Sequence, residues 1–80
     1  MTRPNLYERI ALARDFKEHG LKRGDIATLV DVVPHPSGGA EGLVLEISNA
    51  LGRSLHTIVA TAEDVEPLRE NEVLAVRQLA

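Results

Sequence analysis

A glycine-gated loop running into a β-branched stretch constrains this chain more than any other feature. Gly20-Leu21-Lys22-Arg23-Gly24-Asp25 leads directly into Ile26-Ala27-Thr28-Leu29-Val30-Asp31-Val32-Val33. The two glycines supply backbone conformations that larger residues resist, and the Val, Ile and Thr that follow favour a pleated, half-buried strand. Leu21 stands alone between charges and is expected to fold back as a plug in the core. Pro34-His35-Pro36-Ser37-Gly38-Gly39 ends the strand, because two prolines and two glycines in six residues cannot continue a ladder.

The rest of the chain reads in the same alphabet. Glu8 to Arg14 alternates, with Ile10 and Leu12 on one face, and gives a first strand; Asp15 to Asp25 then forms a long polar hairpin loop. Gly42 to Ile47 is a strand, Asn49 to Arg53 a tight turn with Gly52 at positive φ, and Ser54 to Ala60 a further strand. Thr61-Ala62-Glu63-Asp64 caps a single helical or 3₁₀ turn, the Thr61 hydroxyl accepting from the amide near Asp64. Val65 to Leu68 gives a short fifth strand with Pro67 at an edge or strand end. The fold class expected is all-β, a small five-stranded SH3-like barrel with short terminal extensions. Residues 1–80 make one domain, with a barrel core over about 8–68 and a C-terminal extension over 69–80. Ile10, Leu12, Ile26, Leu29, Leu45, Ile47 and Ile58 are expected in the core. In the tail, Val73 and Val76 sit at helical spacing, but Glu72 to Arg77 also alternates; strand is expected over Glu70 to Ala80.

Composition narrows the chemistry. Eighty residues stand near the lower limit for a single hydrophobic core, burying roughly 60–65% of the unfolded surface. With no cysteine, disulfide staples, thiolate nucleophiles and cysteine-based zinc sites are excluded. No apolar run reaches the ~20 residues of a membrane helix, and the first residues carry no signal-peptide core, so a cytoplasmic protein without membrane contact is expected. Tyr7 and Phe16 are the only aromatics, too few for the broad platforms that bind proline-rich ligands or single-stranded nucleic acid. Charge is uneven: residues 1–30 hold six basic and four acidic groups, residues 31–80 three basic and eight acidic. A nucleic-acid binder shows a basic excess, which is missing here; specific nucleic-acid binding is not expected.

Gly20-Leu21-Lys22-Arg23-Gly24-Asp25, Thr28-Leu29-Val30, Leu45-Glu46-Ile47 and Gly52-Arg53 together carry a resemblance. Over residues 10–68 the chain resembles a family of short bacterial SH3-like barrel proteins known as a domain of unknown function. Its members share an alternating first strand, a charged loop ending Gly-Leu-x-x-Gly-Asp, a Gly-Thr-Val-Val-type strand, a Val-Glu-Phe-like strand, a glycine turn and a capped final segment. Ala27 stands where the family pattern has a glycine. Some members of the family are encoded beside nuclease-like toxins, so the resemblance implies an antitoxin or immunity role.

Candidate chemistry is sparse. His19, His35 and His56 fall in three separate segments, whereas zinc needs three or four converging ligands. A His35–Asp31 acid/base pair is conceivable, but solvated or hydrogen-bonded loop histidines account for the pattern. Ser37 before Gly38-Gly39 matches neither a phosphate loop nor a nucleophile elbow, and reads as a flexible hairpin loop. No catalytic residue, cofactor or metal is therefore expected. The candidate contacts with a partner are Lys17, Lys22 and Arg23 on the first loop, Glu63 and Asp64 in the acidic run near the end, and Leu74 and Val76 in the tail. An acidic run of this kind suits an inhibitor that masks a basic site. Five strands have no interior room for Leu6, Tyr7, Leu74, Val76 and Leu79, so the termini either cap the barrel or pair across a homo-oligomeric or partner interface. Three functions follow in order: a non-enzymatic β-barrel binding module engaging a protein partner or itself, an antitoxin or immunity protein, and a weak RNA-associated barrel.

Overall fold

A computed structural model describes residues 3–79 of the chain. Five antiparallel strands form one sheet: β1 (Arg9–Leu12), β2 (Ile26–Val33), β3 (Gly42–Ser48), β4 (Ser54–Ala60) and β5 (Val65–Pro67). The order across the sheet is β4-β3-β2-β1-β5, so the last strand closes on the first rather than on its neighbour in sequence. β4 and β5 are the two edges and do not pair with each other, which leaves the ladder open. The only helical elements among the described residues are two single 3₁₀ turns, Lys17–His19 and Ala62–Asp64.

Register decides which side chains face inward. Leu29 pairs with Leu45 and Leu45 with Ile58, while Ile10 pairs with Ala27 and Leu43 with Ala60. These residues, with Leu12, Phe16, Leu21, Ile47 and Val65, make one buried cluster. Six of the seven residues expected in the core are there. Ile26 is the exception: Ala27 and Leu29 point inward, so the alternation of the strand turns Ile26 to the outer face, where it is only partly buried. Register shifts between Leu29 and Asp31, which bends β2 along its length and lets one strand serve both β1 and β3.

The first loop is more than a polar connection. Phe16 and Leu21 exchange backbone hydrogen bonds of 2.9 and 3.1 Å, and both side chains are buried around the Lys17–His19 turn. The Arg14 guanidinium lies 3.9 Å from the centre of the Phe16 ring and covers it from solvent. Gly20 (φ 70°) and Gly24 (φ 92°) occupy the left-handed region that the sequence requires of them. Across Gly24 the Asp25 carboxylate accepts from the Lys22 N–H at 2.8 Å, closing the turn on itself. The motif Gly-Leu-x-x-Gly-Asp is thus a self-locking loop with one apolar plug. Thr61 and Asp64 form a reciprocal capping box, in which the Asp64 carboxylate accepts from both the N–H and the hydroxyl of Thr61.

The tail does not form the strand its alternation predicts. After a turn that closes with a 3.1 Å bond from the Glu72 N–H to the Arg69 carbonyl, residues 73–79 run without regular structure, and Ala80 lies outside the described residues. A strand needs an edge to pair with. Pro67 ends β5, and the chain beyond it pairs with neither free edge, β4 or β5; it runs over the outer face and is held there by side-chain contacts instead of a ladder.

Candidate functional site

The tail returns across the outer face of the sheet as a strap fastened near its end. Arg77 donates through Nε to Asp25 Oδ1 at 2.9 Å, through one Nη to Asp25 Oδ2, and again to the Gly20 carbonyl at 3.2 Å. Leu79 packs against the hydrophobic core beside Gly20. Strap and sheet enclose an open cleft of about 1490 Å³. Its floor is the outer face, where Arg9, Thr28 and Glu46 lie in one row across β1, β2 and β3 and Ala11 lies beside Ile26. Ala11 is only 8% exposed although it is on this outer face. The roof of the cleft includes Val73, Leu74 and Val76.

Electrostatics hold the fastening in place. Partial burial works to raise the Asp25 pKa, but the hydrogen bonds from the Arg77 guanidinium and the Lys22 N–H outweigh it and keep the carboxyl below the ordinary aspartate value. The same bond to Asp25 raises the Arg77 pKa. Asp64 behaves alike: burial pushes its pKa up, and the bonds from Arg14 and Thr61 bring it below its usual value.

The residues singled out from sequence divide into two groups. Lys22, Arg23, Leu74 and Val76 all line the cleft. Lys17 is exposed on its 3₁₀ turn, Glu63 on the second turn, and neither borders the cleft. Asp64 is committed to structure, bonded to Arg14 Nε at 2.8 Å and to Thr61. Arg23 reaches Glu66 on β5 at 3.6 Å, and its N–H is held by the Asp15 carboxylate at 2.9 Å. Arg77 and its partner Asp25 were not legible as a pair, since they are far apart in sequence; a lone arginine in an apolar tail was the one available signal.

The histidines separate in the same way. His35 accepts the Ser37 N–H at Nδ1 (3.0 Å) and its ring packs on Gly39, while Asp31 accepts from the Val32 N–H, so the two are not partners. His19 and His56 do meet, their ring centres 5.9 Å apart and tilted by 53°. Among the described residues no three His, Cys, Asp or Glu side chains converge as a metal ion would require. No helix among them is long and apolar enough to cross a membrane.

Fold and site define a small domain built on one open, five-stranded antiparallel sheet with a strap over its outer face. No family model matches the chain, and no curated protein or solved structure does so either.

Proposed function

We propose that this chain is a non-enzymatic binding module, an SH3-like barrel that engages a protein partner through its strap and the cleft beneath. The observation that carries the reading is the exposure of Val73 and Val76, 92% and 90%, on a segment that is nevertheless fastened to the domain by Arg77 and Leu79. Apolar side chains held outward in a defined position are a docking surface rather than a frayed end. The strand order β4-β3-β2-β1-β5, the bend in β2 and the 3₁₀ turn leading into β5 support the barrel.

A basic partner suits the acidic half of the chain. Glu63, Glu70 and Glu72 form no ion pair among the described residues, whereas Asp25, Glu41, Asp64 and Glu66 are each paired with an arginine. This free acidity favours the antitoxin or immunity version of the same reading, in which the partner is a nuclease-like toxin.

Photo-crosslinking from position 76 of the full chain, in the native host, identifies the protein that docks there. The purified partner is then titrated against the wild type and against a Val73→Ser/Val76→Ser variant. The expected result is one dominant crosslinked protein whose affinity falls about tenfold or more in the variant, since two buried apolar side chains contribute roughly 1.5–3 kcal/mol each. Equal affinities, or no crosslinked protein, would overturn the proposal.

A further inference from the structure

The groups that fasten the tail form a receptor for an arginine, and the first loop builds it without the tail's help. The Asp25 N–H donates to the Lys22 carbonyl at 3.0 Å, its carbonyl accepts from the Leu12 N–H at 2.8 Å, and its carboxylate accepts from the Lys22 N–H at 2.8 Å. Asp25 is therefore fixed at the cleft wall, with the Gly20 carbonyl close by. The carboxylate takes the Arg77 guanidinium through Nε and one Nη, and the Gly20 carbonyl takes that same Nη. A planar fork of donors satisfies this arrangement and an ammonium does not. Two residues on, Leu79 lies over Gly20, its Cδ1 3.6 Å from where a Cβ on that glycine would stand, and packs on the core. The site reads Arg-x-Leu.

The tail fills the site loosely. Among the described residues no backbone hydrogen bond joins residues 73–79 to the rest of the chain, and the strap spans an open cleft with Val73 and Val76 left exposed. Arg77 is also the one side-chain cation paired with Asp25 among the described residues, so lifting the tail leaves a partly buried carboxylate without a counter-charge. We propose that the Gly20–Asp25 loop is a docking site for an extended segment of a protein partner, one that carries an arginine and, two residues later, a leucine-sized apolar side chain. The chain's own tail is the resident occupant, displaced when the partner docks. The tail of a second copy has the same sequence and gains no contact over the tethered one, which meets the site at an effective concentration on the order of millimolar. A partner segment that also fills the cleft gains the apolar contacts that the tail leaves unmade. The inference rests on the reading above for the existence of a partner, but its site is the first loop and not Val73 and Val76.

Titration of the full chain followed by NMR tests it, with an acetylated peptide of residues 73–80 as the probe and the Lys22 and Asp25 amides as reporters. Arg77→Gln/Leu79→Ser empties the site and is expected to bind the probe about tenfold or more tightly than the wild type, whose own tail competes. Lysine in place of the probe's arginine is expected to weaken binding to the emptied chain about fivefold or more, because it cannot fork. Serine in place of the probe's penultimate leucine is expected to weaken it as well. Asp25→Asn added to the emptied chain keeps an acceptor for the Lys22 N–H and is expected to abolish saturable binding. The Val73→Ser/Val76→Ser variant is expected to respond like the wild type. Circular dichroism of each variant establishes that it is folded. No saturable response in the emptied chain, or equal affinity for the arginine and lysine probes, overturns the inference, while the crosslink from position 76 still decides the reading above. Sedimentation that finds wild-type dimers dissolved by Arg77→Gln/Leu79→Ser would seat a second copy's tail in the site and overturn the assignment to a partner.

Discussion

Replacing Leu21 by alanine probes the physical meaning of the Gly-Leu-x-x-Gly-Asp loop. Leu21 is 2% exposed and belongs to the same buried cluster as Leu12 and Phe16. Its backbone bonds with Phe16 hold the loop shape, so the loop has little freedom to collapse into the space vacated. Leucine-to-alanine changes at such sites cost about 2–5 kcal/mol, the larger values belonging to rigid surroundings. Roughly 3 kcal/mol is expected here. A domain of this size has on the order of 4–12 kcal/mol of stability, so the loss is a quarter of it or more. At about 4–8 °C per kcal/mol the thermal midpoint falls by ~12–24 °C. With no tryptophan and one tyrosine, fluorescence is a poor probe; urea unfolding followed by far-UV circular dichroism is the suitable assay. Leu51→Ala, at an exposed turn position, serves as the control and is expected to change nothing. A cost below about 1 kcal/mol for Leu21→Ala would refute the reasoning, because it would mean that the loop does not plug the core.

Gly24→Ala meets no neighbouring atom, yet φ is 92°, so backbone strain alone should destabilise the chain by about 1 kcal/mol in the same urea assay. Acid should weaken the fold. Asp25 and Asp64 are depressed in the folded state, so their contribution is complete above the ordinary aspartate value of about 4 and is lost as pH falls through their lower folded values. Urea midpoints measured downward from pH 5 check this, and Asp25→Asn should make the decline shallower. Truncation after Leu68 removes the partly buried Leu79 and the Arg77–Asp25 contact, and should lower the thermal midpoint by several degrees; an unchanged midpoint would mean that the strap contributes nothing to the fold.

The strand pattern, the glycine turns and the capped 3₁₀ turn were legible from residues 10–68 because each rests on local chemistry: period-two alternation, positive φ at glycine, a Thr-x-x-Asp cap. Leu21 as a plug was legible for the same reason, as an isolated apolar residue in a charged loop. Phe16 was missed because its burial depends on the bridge to Leu21 and the cover given by Arg14, neither of which has a sequence period. Ile26 was misassigned because strand type does not determine which face is inside; only pairing to Ile10, Leu45 and their neighbours does. The tail shows the same division most clearly. Its composition declared that Val73, Leu74 and Val76 were too apolar to be a simple solvated end, but not that an irregular strap would carry them over the outer face. That depended on Arg77 finding Asp25 from the far end of the chain, and on β5 ending at Pro67 with a turn after it. Local propensity is written residue by residue, whereas an ion pair between distant residues and a free sheet edge exist only after the chain has folded.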